Sequence, residues 1–238
     1  MSTYSVQTIA TVKSPYKEKF GIPRQPGLAS SLTSQIVFEP EFSSPDIIRG
    51  IEGCSHLWLI FIFNACLDQG WKPTVRPPRL GGNKRLGVFA TRSPFRPNPL
   101  GLSAVSLQSH EIRDGKLILT VSGADLLDGT PIVDIKPYLP YADNIPDAEV
   151  TFAETPQLLS KKINFSTAAQ QVCKDIHEHL HIPLQQQISE LLISDPRPAY
   201  KKDDPEHTYG LRLHHLNIRF RITDHCIFVD EIIEEKSN

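Results

Sequence analysis

Residues 56–63 read HLWLIFIF and form the most continuously apolar stretch of the chain. The stretch is rich in aromatic and β-branched residues and is too short for a typical helix. It therefore predicts a strand that is either buried on both faces or crosses the interior of a barrel. It is also far shorter than the roughly 18 apolar residues that a membrane-spanning helix needs.

Other short β-rich segments surround this stretch in the first 150 residues. Strands are predicted at 5–12, 35–38, 102–107, 117–121 and 132–135. Arg113-Asp114-Gly115 is a turn signal that joins two of these strands as a hairpin. The first part of the chain is therefore predicted to consist mainly of strands and turns.

The residues after about 155 have a different pattern. Apolar residues at helical spacing predict a helix over 166–180, with Ser166 or Thr167 as its N-cap. Pro183 begins a second predicted helix over 183–193. Strands are predicted at 211–222 and 226–232. We place a domain boundary near residue 155, because helices first occur beyond it.

Composition places the chain among ordinary globular proteins, with 238 residues of which 39% are hydrophobic and 22% are charged. The first ten residues are polar and unlike a signal peptide. The four cysteines lack CxxC spacing, which argues against a zinc ribbon or disulfide scaffold and suits a reducing cytoplasm. No GxGxxG, P-loop or GxSxG pattern is present. No metal site is predicted, because His177 and His181 lack companion ligands.

Positive charge is concentrated in one segment. Residues 69–110 contain seven Lys and Arg residues and no Asp or Glu, so the rest of the chain carries a net charge of −9 against −2 overall. This asymmetry predicts an anionic partner at one surface. Six prolines between Pro73 and Pro99 make a long loop the expected structure for most of the segment.

The centre of that loop is residues 87–103, GVFATRSPFRPNPLGLS. Prolines reduce the ordering entropy that is lost when a ligand binds. Arginine offers a planar fork of donors for phosphate or carboxylate, and a flat cation that stacks on a base. The stretch predicts a binding loop, and the alternative is a rigid loop that seals a barrel end.

Asp134 and Lys136 flank Ile135 in a predicted strand and so share one face. Such a pair can transfer a proton or bind a ligand, or it can be an ordinary salt bridge. Considered without any other motif, the salt bridge is favoured.

Residues 195–202, DPRPAYKK, follow the second predicted helix. Their cations and aromatic ring are of the type that binds single-stranded RNA. The alternative is a helix stop followed by a surface loop.

Several of these segments resemble the signature of the TrmO family, also called the TsaA-like or YaeB family. The longest is residues 87–103. The others are SPYKEKF at 14–20, RQPG at 24–27, SHLW at 55–58, DGTPIVDIKPY at 128–138 and DPRPAY at 195–200. The resemblance covers the whole chain, including the C-terminal extension found in the bacterial enzymes.

The resemblance implies an enzyme that uses S-adenosylmethionine to methylate N6 of N6-threonylcarbamoyladenosine at position 37 of tRNA, beside the anticodon. It implies a mainly β fold, with a TsaA-like all-β barrel over 1–155 that binds the cofactor. A smaller α+β domain follows over 156–238, and tRNA docking is the function that we favour for it. Members are typically homodimers with the cofactor near the dimer interface, and a cytoplasmic location is expected.

The resemblance also implies a set of cofactor-binding residues. They are Gln25, Pro26, Gly27, Asn64, Ala65, Cys66, Arg92, Leu102, Ser122, Gly123, Ala124 and Asp125. Many relatives have His where this chain has Asn64.

A general base would help a direct in-line transfer of the methyl group, because the N6 lone pair is shared with the ring and the carbamoyl group. Asp134 is the candidate base. Lys136 or Tyr138 would hold the carbamoyl oxygen or the threonyl carboxylate, which Arg92 or Arg96 could equally bind. The tRNA-binding candidates are Arg76, Arg79, Lys84, Arg85, Arg96, Arg197 and Tyr200.

Two other functions remain open at this stage: a non-catalytic RNA-binding module and a small-molecule methyltransferase. Neither DNA nor a membrane is expected as a partner.

Overall fold

The computed structural model describes residues 2–77, 84–151, 158–197, 204 and 206–235. The strands of the first part are β1 (Ala10–Lys13), β2 (Thr33–Phe38), β3 (His56–Ile62), β4 (Thr74–Val75), β5 (Leu86–Gly87), β6 (Leu100–Arg113), β7 (Lys116–Ser122) and β8 (Pro131–Pro137). Six of them form a closed barrel in the order β1-β2-β7-β6-β3-β8, and β8 pairs with β1 to complete it. β4 and β5 form a separate two-stranded ribbon in the basic segment.

β3 lines the barrel interior with every second residue. Leu57, Leu59 and Phe61 are buried, whereas the residues between them are half-buried. The prediction of a strand buried on both faces is therefore wrong, and the barrel alternative is confirmed. On the outer face Trp58 Nε1 donates to Asp143 Oδ2 at 2.8 Å. Asp143 belongs to α1 (Pro140–Asp143), a helix too short to cover the whole strand.

Close packing inside the barrel requires glycine at position 101. Gly101 on β6 lies opposite Phe61 on β3. A Cβ atom at Gly101 would lie 2.2 Å from a carbon of the Phe61 ring. The absent side chain therefore leaves the space in which this buried ring packs.

The second part of the chain has mixed secondary structure, as predicted. Its elements are β9 (Lys162–Phe165), α2 (Thr167–Leu180), α3 (Leu184–Ile193), β10 (Tyr209–Leu213), β11 (Leu216–Ile222) and β12 (Cys226–Glu234). The sheet order is β10-β11-β12-β9, with β9 parallel to β12. Ser166 caps α2 by accepting a hydrogen bond from Ala169 N at 3.0 Å. No helix within the described ranges has the length and apolarity to cross a membrane.

Three details of the secondary structure differ from the predictions. The segment 211–222 is not one strand, because a turn at His214, with φ of 57°, separates β10 from β11. β9 was not predicted, since its strand character comes from pairing with the distant β12. The first strand begins only at Ala10, where pairing with Phe38 of β2 starts.

The segment between β1 and β2 belongs to the second hydrophobic core. Tyr16, Ala29 and Leu32 are buried there with the apolar faces of α2, α3 and the C-terminal sheet. The barrel has its own core, formed by residues of its six strands together with Ala124 and Leu126. The predicted domain boundary near 155 falls at residues 152–157, outside the described residues, and it stays a prediction.

His214 connects the C-terminal region to the barrel. Its backbone N–H donates to Pro15 O at 2.7 Å, and its Nε2 donates to Gln187 Oε1 at 2.9 Å. Gln187 Nε2 in turn donates to Ser31 O at 3.2 Å. Burial, with smaller contributions from His215 and Lys17, lowers the pKa of His214 to about 4. The neutral imidazole is therefore the form that the folded chain accommodates.

We expect acidification to destabilise the protein through His214. Its pKa is lower in the folded chain than in the unfolded one, so the unfolded state binds a proton first as pH falls from about 6.5 toward 4. The free energy of unfolding should fall by roughly 2–3 kcal/mol over this window because of this residue. Chemical denaturation at a series of pH values should show a smaller loss for His214→Asn.

His110→Asn is the control, because His110 is exposed on β6 and does not contribute to the pKa shift of His214. A loss over this window equal to wild type in His214→Asn would contradict the assignment.

Candidate functional site

Four connecting segments meet at one end of the barrel. They are the segment after β1, the turn after β3 at 64–69, the loop before β6 and the segment after β7. Because neighbouring barrel strands are antiparallel, these connections all leave the same rim. Gln25, Asn64, Arg92 and Asp125 lie in these four segments, which is how residues far apart in sequence come together.

Two glycines bring two backbone segments into contact at this end of the barrel. Gly27 N donates to Gly123 O at 2.8 Å, and Gly123 N donates to Leu32 O at 3.3 Å. Both glycines have positive φ, 81° and 74°. A Cβ at Gly123 would lie 3.1 Å from Gly27 Cα, so the two backbones approach closely. The two glycines therefore allow two backbone segments to lie in contact, with Gly123 buried and Gly27 exposed.

Arg92 and Gln25 connect two of the loops. Arg92 Nη1 donates to Gln25 Oε1 at 2.9 Å, and Arg92 is largely exposed. The amide oxygen satisfies one donor of the guanidinium, which keeps the remaining N–H groups for a carboxylate or phosphate.

Asp125 is a half-buried carboxylate beside this arginine. Ser103 Oγ donates to Asp125 Oδ1 at 2.6 Å. Burial raises the pKa of Asp125 above its usual value, although the Ser103 hydrogen bond and the charge of Arg92 oppose the shift. The phenol of Tyr16 lies near this carboxylate, and burial together with the charge of Asp125 raises its pKa. A carboxylate that is costly to keep ionised suits a site that binds a cation.

The turn after β3 is held by Lys19. Its Nζ donates to Ala65 O at 3.0 Å and lies 3.4 Å from Cys66 Sγ. Asn64 Nδ2 donates to Gly129 O at 3.5 Å, which connects the turn to the loop before β8. Asn64 and Ala65 are exposed and Cys66 is half-buried.

The remaining residues of the predicted cofactor set differ in their exposure to solvent. Leu102 is 52% exposed on β6, and Pro26 is half-buried. Ala124 is buried in the barrel core. Ser122 is 8% exposed and its Oγ accepts from Gln108 Nε2 at 2.9 Å. Ser122 and Ala124 therefore contribute backbone rather than side-chain atoms to this rim.

The predicted catalytic residues lie elsewhere in the same chain. Asp134 and Lys136 share a face of β8, as predicted, and form an ion pair of 2.9 Å with both side chains substantially exposed. Lys136 is paired in register with Trp58, and Tyr138 N bonds to His56 O, which places both toward the opposite rim. Asp134 and Lys136 line a cleft of about 360 Å³ there, together with Arg49. The structure does not bring this trio together with the Arg92 and Asp125 group within one subunit.

Apart from Arg197, the predicted tRNA-binding residues fall into three groups. Arg76, Lys84 and Arg85 are exposed. Arg96 is half-buried and donates to Thr91 O at 3.0 Å, so it braces its own loop. Arg79 and Tyr200 lie outside the described residues.

Arg197 is buried, whereas a residue that binds RNA is expected to be exposed. Its side chain is only 6% exposed and its Nε donates to Asp195 Oδ1 at 2.9 Å. The guanidinium is therefore turned toward Asp195 and away from solvent, and tRNA binding by Arg197 stays a prediction. Arg197 O instead accepts a hydrogen bond from Arg24 Nη2 at 3.0 Å, next to Gln25.

Three residues of the site were not singled out from the sequence: Tyr16, Lys19 and Ser103. Tyr16 and Lys19 belong to the family-like segment 14–20, and Ser103 ends the segment 87–103. Each contacts or lies near a predicted residue only through the fold, and the two segments were the available signal.

Two family models match the chain. The model described as tRNA-methyltransferase O N-terminal domain matches residues 11–144, and that of the TrmO C-terminal domain matches residues 159–235.

Similar proteins extend over nearly the whole chain. The tRNA (adenine(37)-N6)-methyltransferase of Escherichia coli is 44% identical over 94% of this chain and 95% of that protein. A Pseudomonas aeruginosa protein named "Putative S-adenosylmethionine-dependent methyltransferase RcsF" is 43% identical over 92% of each. A crystal structure of TrmO from Pseudomonas aeruginosa superposes with a TM-score of 0.80 and 35% identity, and it covers 98% of this chain and all of that one.

We expect Asp125→Asn to stabilise the protein at neutral pH by about 1 kcal/mol, because a neutral amide avoids the cost of burying an ionised carboxylate. The pKa of Asp125 is raised on folding, so wild type regains stability as pH falls through that pKa and the difference from the variant shrinks. Thermal unfolding between pH 5 and 8 measures both effects.

Asp114→Asn serves as the control, because Asp114 is exposed in the β6–β7 turn and its φ of 52° is tolerated by asparagine. A destabilised Asp125→Asn at pH 7 would show that the ionised carboxylate is favourable where it lies.

Proposed function

The chain belongs to the TrmO family, and we propose on that basis that it is an S-adenosylmethionine-dependent enzyme that methylates N6 of N6-threonylcarbamoyladenosine at position 37 of tRNA. The observation that carries the proposal is the juxtaposition of Arg92, Asp125 and the Gly27–Gly123 contact at one barrel rim. The enzyme would act in the cytoplasm, where tRNA is modified.

The rim fits the charges of the cofactor. S-adenosylmethionine carries a sulfonium and an ammonium cation as well as a carboxylate. Asp125 offers a half-buried negative charge for a cation, and Arg92 offers N–H groups for the carboxylate. Gly27 and the side chain of Leu102 are exposed and would contact the adenine ring. When bound, the cofactor supplies an electrophilic methyl group on sulfur.

The residues of the rim would align the reacting atoms and exclude water. Lys19 holds the 64–69 turn and Arg96 braces the Arg92 loop, so both walls are fixed before a substrate arrives. Pre-organised walls avoid an entropic cost at the moment of reaction. The cations of the basic segment, among them Arg76, Lys84 and Arg85, would contact phosphates of the anticodon arm.

We further propose that two copies of the chain form a homodimer in which Asp134, Lys136 and Tyr138 of one subunit complete the rim of the other. The side chains of Asp134 and Lys136 are 47% and 62% exposed. Lys136 lies in register with Trp58, toward the end of β3 that is opposite to the rim. Exposed apolar residues follow β8, including Tyr141 and Ile145, and would be covered by such pairing. Asp134 would then accept the N6 proton as general base.

The activity is tested by mass spectrometry of nucleoside 37 after incubating purified protein with methyl donor and tRNA. We expect a single added methyl group on tRNA that already carries the threonylcarbamoyl group, and none on tRNA lacking it. Arg92→Ala should lower turnover at least 10-fold, whereas Arg113→Ala, in the distant β6–β7 hairpin, should not change it.

Salt-dependent tRNA affinity with no methylation would favour a non-catalytic RNA-binding module. Methylation of free nucleosides with little salt dependence would favour a small-molecule methyltransferase.

The shared site predicts complementation between two inactive variants. Asp134→Asn and Arg92→Ala damage different halves of the proposed site. Mixed dimers should therefore contain one intact site, and co-refolded mixtures should regain about a quarter of wild-type activity by random pairing. The measurement is initial methylation rate against the ratio of the two variants.

Homodimers of each variant, measured at the same total concentration, are the controls. A mixture no more active than the average of these homodimers would place all catalytic residues within one subunit. Near-normal turnover by Asp134→Asn alone would exclude Asp134 as the general base.

A further inference from the structure

Two aromatic side chains are exposed within the basic segment. Phe89 is 78% exposed and Trp71 is 57% exposed. By contrast, Phe95 in the same loop is half-buried, and Lys72 Nζ lies over its ring, 5.1 Å from the ring centroid. The proposed function assigns no role to either exposed ring.

Phe89 is held in place although its ring is exposed. The neighbouring Val88 is 3% exposed, and its N–H donates to Pro73 O at 3.0 Å. Thr91 closes the turn by donating from N and from Oγ1 to Val88 O, at 3.1 and 2.9 Å. The ring therefore projects from a fixed turn, three residues before Arg92.

Arg96 places a positive charge against the Phe89 ring. Its Cζ lies 6.0 Å from the ring centroid, and its Nη1 is fixed by Thr91 O at 3.0 Å. A cation near an aromatic ring interacts favourably with its π-system. The high exposure of Phe89 shows that most of the ring surface remains open to a further flat partner.

Trp71 is tied to the same loop from the other side. Gly70, with φ of 63°, ends the 64–69 turn, and Trp71 follows it directly. The next residue, Lys72, donates from its backbone N–H to Phe95 O at 3.1 Å. Both exposed rings are therefore close in sequence to residues of the proposed cofactor site.

We propose that Phe89 and Trp71 are stacking platforms for unpaired nucleobases of an RNA loop. This inference rests on the proposed function and adds the means by which the loop would be held open beside the target base. The occupant follows from charge, because the segment 69–110, which contains both rings, has seven Lys and Arg residues and no Asp or Glu in its sequence. RNA loops combine flat unstacked bases with phosphates, and this combination matches exposed rings among cations.

The first test compares Phe89→Leu with Phe89→Tyr. Leucine keeps an apolar side chain without a π-face, whereas tyrosine keeps the ring. We expect Phe89→Leu to weaken binding of an anticodon stem-loop RNA about 5- to 100-fold, and Phe89→Tyr to bind as wild type. The dependence of affinity on salt and the affinity for S-adenosylmethionine should not change, since no charge is removed.

The second test uses fluorescence and does not depend on methylation. Trp58 and Trp71 are the two tryptophans of the chain. Trp58→Phe, a change on the outer face of β3, leaves Trp71 as the single emitter. Titration with the same RNA should quench its fluorescence, and a stem without a loop should quench it much less.

Several outcomes would overturn the stacking proposal while leaving the proposed methyl transfer intact. These are equal affinity of Phe89→Leu and wild type, unquenched Trp71 in an RNA-saturated protein, and a loss of dimer in Phe89→Leu by light scattering. The last would show that the ring contacts a second copy of the chain. Absence of methylation with quenching retained would instead contradict the proposed function alone.

Discussion

Closure of the six-stranded barrel is the constraint on which the site depends. β1 pairs with β2 on one side and with β8 on the other, so the first and last strands of the barrel meet. Antiparallel closure sends alternate connections to one rim, and the four loops with the candidate residues leave from that rim. The interior is filled by alternating side chains such as Leu59 and Leu119, and the proposed ligand site therefore lies at the rim rather than inside.

The rim combines a carboxylate whose ionised form is unfavourable with loops that are fixed by hydrogen bonds. Asp125 is kept in a position where ionisation is costly, and Ser103 and Arg92 offset only part of that cost. The surrounding loops are fixed by backbone contacts such as Gly27 N to Gly123 O. Groups whose ionised form is unfavourable are common at sites that bind a charged ligand. The same stiffness, supplied by prolines and by Arg96, presents Phe89 to solvent.

The C-terminal region supports the rim as well as extending the surface of the protein. Tyr16, whose phenol lies near Asp125, forms a bridge with Leu213 of β10. Glu190 of α3 accepts hydrogen bonds from the backbone N–H and hydroxyl of Ser31. A displacement of α3 would therefore also move the segment between β1 and β2, which contains Gln25 and Gly27. Arg197, which was expected to bind RNA, also contacts the segment between β1 and β2, because its backbone O accepts a hydrogen bond from Arg24.

The sequence by itself determined the local features: the hairpin at Asp114-Gly115, the helices with Ser166 and Pro183 at their starts, the concentration of positive charge and the family. These depend on propensities, spacing and motif identity. Only the tertiary structure decided the rest. It paired Asp134 with Lys136, placed Lys136 toward the opposite rim, buried Arg197 and brought Lys19 to Cys66. Register, burial and distant pairing depend on contacts between residues far apart in the chain, which no local pattern encodes.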